Sequence, residues 1–193
     1  MARVRTRKRL GPRVVLVLLL LLLVGAVAAR VQLTLIAPHT AFAPTATLSD
    51  DKKKELDEAI ADAMLTDREH ALDLSLDVTG RWLSLAPWHK TSLAIGAGAR
   101  GGNGVEYADL FATVFDVAAK HAGSTARAYR VESDVRVFGK RIPLPSFARH
   151  DWVLVVDPAD GARIDLDPML ADAWLGASLA RNVKGGDAIP LPK

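Results

Sequence analysis

No cysteine occurs anywhere in the 193 residues, which excludes disulfides, thiolate metal sites and any thiol nucleophile. Acidic residues are missing from the first thirty positions, which instead hold seven basic side chains: Arg3, Arg5, Arg7, Lys8, Arg9, Arg13 and Arg30. Setting those aside leaves 18 basic against 22 acidic residues, a formal charge of −4 for residues 31–193, so the overall +3 comes from the N-terminus alone. The remainder lacks the broad positive field that a phosphate backbone requires, which excludes nucleic acid as a partner. The five histidines (His39, His70, His89, His121, His150) are dispersed without helical pair spacing, so no metal site is predicted.

What is present begins with a hydrophobic run. Val14 to Ala29 is unbroken by any charge and contains six consecutive leucines, Leu18 to Leu23. Basic residues crowd its N-terminal side, so residues 1–13 are expected to stay cytoplasmic, with the rest of the chain extracytoplasmic. Residues 14–30 then act either as a membrane anchor or as a signal peptide, which Ala26-Val27-Ala28 would suit as a cleavage site. Retention predicts a single-pass membrane protein, and cleavage a secreted one.

Residues 31–48 read as a linker containing Pro38 and Pro44, followed by a domain over 49–184 and a loose tail over 185–193. Ser49 before Asp50 and Asp51 marks a helix start, with Leu56, Ile60 and Met64 on one stripe. Thr66 with Glu69 forms a capping-box pattern, predicting a second helix to about Thr79, ended by Gly80. The stretch Gly96–Gly102 is not a phosphate loop, since no Lys followed by Ser or Thr closes it; it reads as a flexible approach to the next helix. That helix runs from Gly104 to about Lys120, with Phe111 and Phe115 on its core face and Glu106 and Asp109 expected in solvent. Strands are predicted at 126–131, 135–142, 152–156 and 162–166, with a turn at 157–161 and a short helix from Met169 to Leu179. Helices followed by an antiparallel sheet make an α+β domain.

Three segments carry chemical meaning together. Asn103-Gly104-Val105-Glu106-Tyr107-Ala108-Asp109 opens a helix, His150-Asp151-Trp152 starts a strand, and Asp165-Leu166-Asp167-Pro168 ends the next strand. In that order and setting they resemble the transglutaminase-like superfamily, which implies a papain-like core of helices packed on an antiparallel sheet. The resemblance spans roughly Gly102 to Pro168, about a third of the chain. It implies a cysteine on the first helical turn, a histidine that takes its proton and a carboxylate that orients the ring, with no cofactor.

His150 matches that histidine and Asp167 that aspartate. The nucleophile belongs three positions before Tyr107, where this chain has Gly104. Asn103, Tyr107, Trp152 and Asp165 are then the candidate cleft-lining residues. The resemblance therefore implies a noncatalytic member binding a peptide or protein in the cleft, or a cysteine-to-glycine variant of an active peptidase or acyltransferase. The local alternatives are a solvated Asp165–Asp167 pair or turn cap, and a cation held by His150, Asp165 and Asp167.

Overall fold

The computed structural model describes residues 33–137, 140–141, 149–172, 183–184 and 189–192. They belong to one compact unit, Gln32–Lys193. The hydrophobic run 14–30 lies outside the described residues, and among those described no helix is long and apolar enough to cross a membrane.

Part of the expected linker is a strand. β1 (Leu33–Phe42) pairs antiparallel with the later strand β6 (Arg127–Val137), the register slipping between Ile36 and His39. Pro38 falls in that slip, where its lack of an N–H costs the ladder nothing. β2 (Thr47–Leu48) follows, and Ser49 then caps α1 (Asp50–Ala63) by accepting from the Lys52 N–H at 3.3 Å. Leu56 and Ile60 are buried as their spacing predicts, but Met64 is 81% exposed: it is the C-cap, in a left-handed conformation (φ 46°) that turns it off the stripe.

α2 (Arg68–Trp82) is capped by Asp67, accepting from the His70 N–H at 2.9 Å, and not by Thr66. It runs past Gly80 because Trp82 is wanted in the core. The Trp82 indole N–H donates to Glu55 at 2.6 Å, and the Lys52 ammonium lies 4.4 Å from its ring centre.

β3 (Leu83–Leu85), β4 (Ala94–Ile95) and β5 (Arg100–Gly102) form two short parallel pairs, β2 with β4 and β3 with β5. The glycine-rich stretch is therefore in part a strand. A Cβ at Gly101 would lie 2.9 Å from the Ala86 Cβ, and one at Gly102 would lie 3.1 Å from Leu83, so close backbone approach is the reason for glycine there.

α3 (Gly104–His121) is the central helix. Phe111, Phe115 and Ala118 join Ala128, Val153 and Val155 in one core cluster, while Tyr107, Leu110 and Val114 join Leu56, Ile60 and Trp82 in another. The main sheet has the order β10-β1-β6-β8-β9, with β7 (Lys140–Arg141) hairpinned on β6. β8 (Arg149–Val156) and β9 (Arg163–Leu166) pair antiparallel with their neighbours, and β10 (Val183–Lys184) adds parallel to β1. β6 is one strand where two were expected.

Along β8, Val153 and Val155 face α3, while Trp152 and Leu154 enter a separate cluster with Val131, Val183 and Ile189. Burial on both faces explains the unbroken apolar run Trp152–Val156. Ile189, 8% exposed, also shows that the tail is not wholly loose. α4 (Pro168–Leu170) follows β9; the rest of the helix expected to Leu179 falls outside the described residues beyond 172. The fold is α+β.

Candidate functional site

The first turn of α3 is held by a reciprocal cap. Asn103 accepts from the Glu106 N–H at 3.3 Å, and Glu106 accepts from the Asn103 N–H at 2.9 Å. Glu106 also takes the Ser92 N–H at 2.9 Å and Arg100 Nη1 at 2.5 Å. Burial alone would raise its pKa, but Arg100 and the two backbone donors outweigh it and hold the carboxyl below its ordinary value. Asn103 Nδ2 donates to the His89 carbonyl at 3.0 Å and to Thr91 Oγ1 at 2.8 Å. The loop over 86–103 is thereby tied to the helix start.

Glu106 and Asp109 are both fully buried, which corrects their expected exposure. Acids at a helix start do favour solvent when nothing meets them, but here donors come from distant segments. Asp109 accepts the Thr45 and Ala46 N–H groups, each at 2.7 Å.

Gly104 is the first residue of α3, with ordinary helical backbone. A Cβ placed on it would meet only normal contacts: the Asp151 Cβ at 3.8 Å, the Asp151 carbonyl oxygen at 3.9 Å and Met169 Sδ at 3.9 Å. Neither backbone strain nor crowding requires glycine here. The position opens on a cleft of about 140 Å³ lined by Pro87, Trp88, Gly104, Arg149, His150, Asp151 and Met169. A larger hollow of about 560 Å³, between α2 and α4, contains no histidine, and its Asp77 is already paired with Arg81 at 3.1 Å.

His150 and Asp167 are brought together. His150 Nε2 lies 2.5 Å from Asp167 Oδ2, with the histidine side chain 15% exposed and the aspartate fully buried. Asp167 Oδ1 accepts from the Met169 and Leu170 N–H groups at 2.9 and 3.3 Å, which fixes the carboxylate as the cap of α4. The turn-cap reading and the pairing with histidine thus both hold for Asp167. Since a carboxylate only accepts, Nε2 carries the hydrogen. Burial of the ring opposes its charge, but the Asp167 carboxylate, helped by Asp151, raises the His150 pKa above its ordinary value.

The other candidates are placed differently. Asn103 forms the cap behind the cleft wall and is not among the lining residues. Tyr107 is fully buried, its hydroxyl donating to Asp172, and burial followed by that acid pushes its pKa far up. Trp152 is fully buried on the far face of the sheet, donating its indole N–H to Ser133 at 2.8 Å. Asp165 accepts from Arg163 Nε at 3.1 Å, and among the described residues no three acids or histidines are grouped to hold a metal ion.

Trp88, 84% exposed at the cleft, is the aromatic that sequence reasoning missed, as were Pro87, Arg149, Asp151 and Met169. The period-2 pattern of His150-Asp151-Trp152 held the signal for Asp151, which shares the α3-facing side with Val153. Compared with known proteins, the chain matches no protein family, no curated protein and no solved structure.

Proposed function

We propose that the chain is a noncatalytic, transglutaminase-like protein of the cell envelope, built on a papain-like core, whose cleft binds a peptide or protein segment. The observation that carries the reading is the buried His150–Asp167 pair, ending in a cleft whose helix-start position is a glycine that the fold does not need. A histidine oriented by a carboxylate beside a helix N-terminus is what a thiol nucleophile would require. Without the thiol, no acyl-enzyme can form. What stays is a small, polar-backed recess with an exposed aromatic at its mouth, suited to holding a segment and not to cutting or joining it.

The basic flank and leucine-rich run over 1–30 support attachment to a membrane with the domain outside the cytoplasm. The mass of the mature protein distinguishes a retained anchor from secretion after cleavage.

The binding role is tested by attaching a benzophenone maleimide to Gly104→Cys and, separately, to Met64→Cys, an exposed position away from the cleft, and irradiating each in native membranes. The expected result is a discrete cross-linked species from position 104 only, lost on Trp88→Ala. Identical or absent adducts from the two positions would remove the binding role. A covalent adduct between the wild-type chain and an amine or acyl probe would show it to be an enzyme instead.

A further inference from the structure

Among the described residues, Asp151 offers the side chain nearest to a Cβ placed at Gly104. It is an odd neighbour for an open recess, because its Cβ lies beside the α3 N-terminus and it stands next in sequence to His150. Both are positive features, and either would attract the carboxylate into the cleft. It does not go there: Asp151 Oδ1 instead accepts from Arg130 Nη1 at 3.1 Å.

Arg130 is itself fixed from two further sides. Its Nε is 3.7 Å from Asp109 Oδ2, and its guanidinium carbon sits 4.3 Å from the centre of the Phe42 ring. Asp109 is in turn immobilised by the Thr45 and Ala46 N–H groups. β1, β6, α3 and the 45–46 turn thus converge on one guanidinium, 16% exposed, that grips the acid facing the cleft.

We propose that Arg130 is a positioning residue that keeps the cleft open by holding the Asp151 carboxylate out of the space beside Gly104. The proposal deepens the reading of this cleft as a binding site and rests on it. In this arrangement the recess has two states: vacant while Arg130 grips Asp151, and self-occupied when the carboxylate swings to His150 and the helix start. Arg130 sets the balance between them.

The test is the NMR titration of the His150 ring in the full chain and in Arg130→Gln, Asp151→Asn and the double variant. Losing the cation and gaining a nearby carboxylate both favour imidazolium, so Arg130→Gln should raise the His150 midpoint by at least about 0.5 pH unit. Adding Asp151→Asn should reverse that rise and bring the midpoint below that of the wild type. A midpoint unmoved by Arg130→Gln, or a drop on Asp151→Asn no larger in the Arg130→Gln background than in the wild type, would overturn the proposal, because Asp151 already raises the His150 midpoint from where it stands. Should Arg130→Gln fail to fold, Arg130→Lys, which keeps the cation, serves instead. It should leave the midpoint within about 0.3 pH unit of the wild type while Asp151→Asn lowers it, and no response to Asp151→Asn would overturn the assignment. The titration needs no ligand, so it is decided separately from whether the cleft binds a segment.

Discussion

Glu106 and Asp167 are both fully buried carboxylates at helix starts, yet their surroundings differ in kind. Glu106 is met on all sides: two backbone N–H groups and Arg100 bond it, and His89 Nδ1 lies 3.4 Å away. Every partner is internal, and the network closes on itself. Asp167 also takes two backbone N–H groups, but its third partner is His150, which itself lines a cleft. The first network holds a loop to a helix, whereas the second reaches a side chain in the wall of a cleft. The two glycines nearby divide the same way: Gly101 is required by packing, and Gly104 is not.

The largest expected effect strikes the closed network. Glu106→Gln leaves Arg100 without its buried counter-charge and should cost about 3–5 kcal/mol in denaturant unfolding. Because Glu106 titrates below its ordinary value when folded, its contribution is present above the unfolded carboxylate pKa and lost as pH falls through the lowered one. The wild type should therefore converge on the variant in acid.

Breaking the open pair comes next. His150→Ala should cost about 2–3 kcal/mol, with the opposite pH sense. A histidine whose pKa is raised on folding contributes fully below its unfolded value, and the contribution disappears as pH rises through the folded value. The stability gap between wild type and variant should shrink from pH 6 to pH 9; a gap that widens would mean the pair is not an ion pair.

How much of this was legible in the sequence depended on distance along the chain. The helix starts at Ser49 and Asn103 were readable because a cap and its N–H partner lie within three residues. So was the apolar run of β8. β1 was hidden because its apolar residues continue the preceding hydrophobic run and because prolines suggest a linker. Asp109 looked solvent-facing because its donors, the Thr45 and Ala46 N–H groups, come from more than sixty positions away. Trp152 was placed in the cleft by its nearness to His150, whose parity along β8 it shares, but it lies further along the strand, in the core it forms with Val131, Val183 and Ile189. The pairing of His150 with Asp167 was legible because their spacing followed a pattern; the contacts of Arg130 and Trp88 followed none.

Smaller effects sharpen the contrast between the glycines. Gly101→Ala forces a Cβ into the Ala86 methyl and should cost about 1–3 kcal/mol. Gly104→Ala meets only ordinary contacts in a helical residue and should be neutral or stabilise by about 0.5 kcal/mol. Equal losses at both positions, read as thermal midpoints, would remove the distinction. Trp88→Ala should change stability by less than about 0.5 kcal/mol, since its side chain is exposed, and act on partner capture alone.

The most direct measurement is the pH dependence of alkylation by iodoacetamide of Gly104→Cys. The chain contains no other thiol, so the rate reports this position alone. If the recess is a transglutaminase-like site lacking its nucleophile, the midpoint should fall well below the ordinary thiol value of about 8.5, and His150→Ala should return it there. A midpoint at the ordinary value, indifferent to His150→Ala, would contradict the account.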